Sequence, residues 1–174
     1  MPTRTARWAT PMRRLIEYLV LAAAIVAMAL ATPTLIRASE YGIFLELTHK
    51  PGFQPAWDAM LRGETGLPAW LRAGKGTSSE YTARTTDGQT FITGDMCRPH
   101  DCPAQQIFGA FHMDTPDHAT AAWAVLVDVQ YPHPTDRPAS AYAKLRWLGH
   151  PDEPIKALLM KSVRRANPDW DHAS

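Results

Sequence analysis

With 174 residues, 45% of them hydrophobic and 20% charged, the chain has the make-up of one globular domain with room for an appendage. Its formal charge of +1 is weighted to the front: residues 1–31 hold four Arg and one Glu, leaving 14 basic and 16 acidic side chains, a net of about −2, on the rest. A mildly acidic body argues against a nucleic-acid binder, which needs a basic face. Fifteen prolines predict stiff connections and short helices.

In chain order, Arg4, Arg7, Arg13 and Arg14 precede the uncharged stretch "YLVLAAAIVAMALATPTLI", residues 18–36, a positive n-region followed by an apolar h-region. The apolar part proper, residues 19–31, is 13 long, short of the roughly 20 needed to span a bilayer. Ala29-Leu30-Ala31 offers a small-x-small cleavage site. Residues 1–31 are therefore expected to be a signal peptide, with an uncleaved N-terminal anchor as the rival; a membrane contact follows only from the second. Either way the body is exported. In an oxidising compartment the only two cysteines, Cys97 and Cys102, should pair with each other.

Residues 32–53 read as a loosely structured lead-in containing one short apolar element, "YGIFLEL", and residues 54–174 as the domain proper. In "QPAWDAMLR", residues 54–62, an early Pro, helical spacing of Trp57, Met60 and Leu61, and Gly63 as a stop predict a short amphipathic helix. "GLPAWL" follows as a tethered apolar loop. Residues 81–86 and 89–95 flank Asp87-Gly88, the two-residue signal of a type I′ hairpin. Residues 105–113 predict a third strand with Ile107, Gly109, Phe111 and Met113 on one face. Residues 121–129, nearly all apolar, predict a central strand covered on both sides. After the proline-rich excursion "YPHPTDRPAS" comes a fifth strand, residues 143–148, and then a helix capped by Asp152 and running to about Ala166. The predicted class is α+β: an antiparallel sheet of about five strands flanked by helices, with a disulfide-stapled hairpin loop protruding from it.

That loop is "CRPHDC": Cys97, Arg98, Pro99, His100, Asp101 and Cys102. Two thiolates and His100 would leave a structural zinc without its fourth ligand, and no second cysteine pair or H-x3-H supplies one. The spacing C-x4-C between strands is also not the C-x-x-C opening a helix that activates a redox thiol. No metal and no cofactor are expected. As a stability staple, a six-residue loop is worth only about 2 kcal/mol by chain entropy. The pairing does more to fix the four residues inside it, with Pro99 locking a further φ. A hydrolase would need partners for His100, and the chain has no G-x-S-x-G, no H-E-x-x-H and no spare cysteine. His100 on a rigid convex tip suits an inhibitor, which brings its residue to another protein's cleft. The chain is not expected to be an enzyme.

At these residues the sequence resembles a known family, the inhibitors of vertebrate lysozyme, or Ivy, whose signature is C-[KR]-P-H-D-C. The segments "GLPAWLRAG", "DGQTFITGDM" and "KLRWLGHPDEPIKALL" are similar to the family's flanks, so that the resemblance covers residues 54–166. It implies a periplasmic protein whose loop occludes the active-site cleft of c-type lysozyme. His100 would hydrogen-bond the enzyme's catalytic acid and nucleophile carboxylates, with Arg98 and Asp101 in support. A protonated imidazole has two N–H donors and can face two carboxylates at once. The alternative targets are the bacterium's own lytic transglycosylases; a reading of another class is a stapled structural or redox-sensing envelope protein. The longer lead-in and the 131–140 excursion depart from the family's pattern. Trp57, Trp70, Trp123 and Trp147 are expected in the core rather than on sugars, and His112 and His118 to be solvated or locally bonded.

Overall fold

The computed structural model describes residues 42–130 and 137–172; the expected leader and anchor, the start of the lead-in and most of the proline-rich excursion lie outside them. The described residues belong to one compact unit, residues 38–174. No helix among them is long and apolar enough to cross a membrane.

The elements are α1 (Phe44–Leu47), α2 (Gln54–Leu61), α3 (Ala69–Arg72), β1 (Thr77–Ser78), β2 (Thr82–Thr86), β3 (Gln89–Cys97), β4 (Gln105–Thr115), β5 (His118–Val129), β6 (Ala143–Leu148) and α4 (Glu153–Ala166), with a single 3-10 turn, Ala139–Ala141, before β6. All six strands form one antiparallel sheet in the order β1-β3-β4-β5-β6, with β2 continuing beside β1 on the same edge of β3. The β2–β3 hairpin turns at Asp87 and Gly88, whose φ values of 51° and 74° are the two positive angles that a type I′ turn demands.

The period-2 alternation of the long strands sends alternate side chains to two separate cores. Ile107, Phe111 and Met113 of β4, with Ala122, Ala124 and Leu126 of β5, face Phe44, Phe53, Trp57 and Met60 from the N-terminal helices. Phe108 and Ala110, with Val125, Val127 and Val129, face Ile155, Leu159 and Val163 of α4 and the buried Trp170 beyond it. The sheet is thus covered on both sides, which is why β5 is apolar along its length. Asp152 caps α4 by accepting the Ile155 N–H at 3.0 Å, and Pro154 occupies the first turn, where no donor is needed.

Two expectations are corrected. The described part of the lead-in, residues 42–53, is not loosely structured: Phe44, Leu47 and Phe53 are buried, and Phe44 lies across the strands where Gly94 pairs with Gly109. A Cβ at either glycine would fall 2.5 Å from the Phe44 ring, so both positions need the hydrogen side chain. Phe44, Phe53, Trp57 and Phe111 then form an aromatic cluster with centroids 5.3–5.9 Å apart. Part of "GLPAWL" is also helical rather than a loop: α3 begins after Pro68, whose carbonyl accepts the N–H groups of Leu71 and Arg72 at 3.1 Å each. A four-residue helix is far too short to be stable by itself and exists because Leu67 and Leu71 are buried.

Candidate functional site

The loop joins β3 to β4 with Cys97 as the last residue of β3, paired in register with Gln106. Cys97 and Cys102 are disulfide-bonded with Cα atoms 4.8 Å apart, so both thiols are consumed. Cys97 is buried and Cys102 half-buried, while Arg98, Pro99 and His100 between them are exposed.

Two successive turns give the loop its shape. The Asp101 N–H donates to the Arg98 carbonyl at 3.0 Å, closing a four-residue turn with Pro99 second and His100 third. His100 has φ 65°. Proline followed by a positive φ is the type II pattern, whose third position belongs to glycine by preference. A residue with a Cβ there carries roughly 1–2 kcal/mol of strain. The Asp101 carbonyl then accepts from both Ala104 and Gln105, at 3.2 and 3.1 Å, a single helical turn that leads into β4. Arg98 folds back on the loop, its guanidinium donating to the Asp101 carboxylate at 3.3 Å. Among the described residues no hydrogen bond or ion pair engages the His100 imidazole. The turn therefore directs a strained, uncommitted imidazole outward, between a cation and an anion that hold one another.

Cys97 to Cys102 lie at one end of the sheet, where β3 passes into β4. An open groove of about 730 Å³ adjoins the loop, lined by Trp70, Arg98, Gln105, Leu145 and Arg146 among others. Leu145 is one of two large hydrophobic side chains exposed among the described residues, at 39%. Arg146 is held in place by Glu64 and by the Thr65 carbonyl at 2.7 Å.

The chain belongs to the Ivy family. The family model described as "Inhibitor of vertebrate lysozyme (Ivy)" matches residues 52–165. A Pseudomonas aeruginosa protein named inhibitor of vertebrate lysozyme is 33% identical over 135 residues, which cover 77% of this chain and 85% of that protein. An uncharacterized protein of Yersinia pestis is 36% identical over 126 residues, 72% of this chain and 78% of its own length. A second, uncharacterized Pseudomonas aeruginosa protein is 30% identical over 159 residues, 91% of this chain and 97% of the relative. The Ivy family, by its name, is one of enzyme inhibitors, and the resemblance read from "CRPHDC" and its flanks agrees with the family model and with the named relative.

Other histidines and tryptophans have local explanations. The His112 Nδ1 is 2.9 Å from the Thr120 hydroxyl, and His118 Nδ1 lies 2.7 Å from the Asp114 carboxylate. That bond, followed by the charge of His118, holds the Asp114 carboxyl below its ordinary range. Trp57 is buried, and Trp70, Trp123 and Trp147 are half-buried against the two cores. Sequence reading missed the two glutamines that open β4. Gln105 accepts from Trp70 Nε1 at 3.2 Å, and Gln106 exchanges two hydrogen bonds with Asn167 at 2.9 and 3.2 Å. Nothing in "AQQIF" signals either partner, since one lies 35 residues before and the other 61 after.

Proposed function

We propose that this protein inhibits c-type lysozyme by inserting the Cys97–Cys102 loop into the enzyme's active-site cleft, where His100 faces the catalytic acid and nucleophile carboxylates. The observation that carries the reading is His100 itself: an exposed side chain, without an internal partner, on a backbone angle of 65° that glycine would occupy more cheaply. Local strain of this kind persists where the side chain is used. Arg98 and Asp101, exposed by 52% and 40%, flank it and keep the loop's own charge balanced. A loop already ordered by a disulfide, a proline and a chain of turn hydrogen bonds loses little entropy on docking. Charge-assisted bonds formed in a cleft that excludes water are the strong ones.

On this reading the protein acts as a plug and not as a catalyst, and works in the periplasm after export by residues 1–31. A cell-wall lysis assay tests it, with the full-length mature protein titrated against c-type lysozyme, g-type lysozyme and a lytic transglycosylase. Inhibition of the c-type enzyme, lost in His100→Ala, is the expected result. Inhibition of the transglycosylase alone would move the target to the cell's own wall enzymes, and no inhibition of any of the three would overturn the reading.

A further inference from the structure

The residues on which the loop closes are gripped from both faces of the sheet. Gln105 and Gln106 are the first two residues of β4. Gln105 receives the Arg98 N–H on its carbonyl at 2.9 Å and gives its own N–H to the Asp101 carbonyl at 3.1 Å, so its backbone shuts the loop. Gln106 pairs with Cys97, the residue on which the staple is anchored. Because side chains alternate along a strand, the two amides leave on opposite faces. Gln105 meets the Trp70 indole N–H of α3 at 3.2 Å. Gln106 meets the side-chain amide of Asn167, at the end of α4, in a reciprocal pair of 2.9 and 3.2 Å. Asn167 is itself fixed, its Nδ2 also donating to the Val163 carbonyl at 2.9 Å. Trp70 is fixed by packing on the first core and beside Gly76, where a Cβ would lie 3.4 Å from its ring.

We infer that Trp70, Gln105, Gln106 and Asn167 form a two-sided clamp that sets the aim and the rigidity of the inhibitory loop, acting as positioning residues that do not themselves contact the target's catalytic groups. The inference rests on the loop reading given above. A disulfide alone fixes the loop internally but leaves its base free to hinge about the β3–β4 end; one hydrogen-bonded brace on each side of β4 removes that freedom. All four side chains are half-buried and none is a fully buried core residue. Removing their hydrogen bonds should therefore alter the loop more than the melting temperature.

The test uses Trp70→Phe, which keeps a ring and loses the N–H, Gln106→Ala, and the exchange Gln106→Asn with Asn167→Gln, which restores an amide pair. Inhibition constants are measured alongside backbone amide hydrogen exchange at Arg98, Asp101 and Gln105. Trp70→Phe should raise the inhibition constant by roughly three- to tenfold, the factor that one ordinary hydrogen bond represents, and Gln106→Ala, which gives up two bonds, by at least as much, with faster exchange at those amides and unchanged exchange in the rest of β4 and in β5. The exchanged pair should recover at least half of the loss. Inhibition constants at the wild-type value, or weakened inhibition with no change in loop exchange, would overturn the clamp. If the unmutated protein inhibits no muramidase, the functional reading fails, while the exchange measurement still decides whether the clamp orders the loop.

Discussion

Replacing His100 separates stability from function, and two variants are needed to see it. At φ 65° the Cβ of His100 is strained, whereas glycine adopts that angle freely. Against the relief of roughly 1–2 kcal/mol stands the greater unfolded-state entropy of glycine, roughly 0.5–1 kcal/mol. Since no internal hydrogen bond or ion pair of the imidazole is given up, His100→Gly should come out about 0.5–1 kcal/mol more stable, a rise in Tm of about 2–4 °C for a domain of this size. His100→Ala keeps the Cβ and its strain, so its Tm should stay at the wild-type value. Both variants lose the imidazole. If it makes two charge-assisted bonds at about 1.5 kcal/mol each, inhibition weakens by about 3 kcal/mol, over a hundredfold at 1.4 kcal/mol per decade. Differential scanning calorimetry and a lysozyme inhibition curve on the three proteins measure both sides. A Gly variant less stable than wild type would refute the strain assignment, and an Ala variant that inhibits as well as wild type would refute the role of His100.

Gly94→Ala should destabilise the domain by about 2 kcal/mol or more, an overpacking cost, because the new Cβ meets the Phe44 ring at 2.5 Å; adding Phe44→Leu should recover part of the loss, and strict additivity in chemical denaturation would count against the contact. Reducing the Cys97–Cys102 bond should cost about 2 kcal/mol of stability yet raise the inhibition constant tenfold or more, checked by thiol titration alongside the lysis assay. The Asp114 carboxyl, held low by its bond to His118, favours the folded state above the unfolded carboxylate pKa of about 3.9. That contribution disappears as pH falls through the lower folded value. His118→Ala should therefore move the Asp114 titration upward by NMR, remove this contribution at pH values above the carboxylate range and flatten the fall of stability between those two values, leaving inhibition at neutral pH unchanged.

The sequence was most legible where a local rule needs no partner. Asp87-Gly88 marked a hairpin because two positive φ angles are costly for most residue pairs, and Asp152 marked the start of α4 because its side chain can accept a backbone N–H left without a partner at a helix N-terminus. The alternation of Ile107, Phe111 and Met113 gave one face of β4 correctly. What stayed hidden depends on distant chain. In "YGIFLEL" nothing distinguishes a helix from a strand over so few residues, and Phe44–Leu47 is helical only because Phe44 must cross two glycines 50 and 65 positions later. The two-residue β1 has no period to detect. Of the loop, the six residues and their staple could be read directly, but its aim could not. An amide such as Gln106 acquires its role from Asn167 across the sheet, and composition carries no trace of that.

On the proposed function, the fold accounts for how so short a loop would bind its target tightly. Were residues 97–102 disordered in the free protein, fixing six backbones on docking would cost about 6 kcal/mol at about 1 kcal/mol each, some four orders of magnitude in Kd. The folded domain has already met that cost within the loop and at its base: Pro99, the disulfide, the Arg98–Gln105 and Val129–Ala104 backbone bonds of 2.9 and 2.8 Å, and the two amide braces. The two-layer covering of the sheet serves the same end. Only a strand buttressed by helices on both sides can anchor a brace on each, and only a base held from both sides can keep His100 at an unfavourable angle without the turn relaxing. Affinity on this view depends on Gln105 and Gln106 as well as on the imidazole they support, with the smaller share theirs, and variants at the base of the loop should act mainly on the dissociation rate.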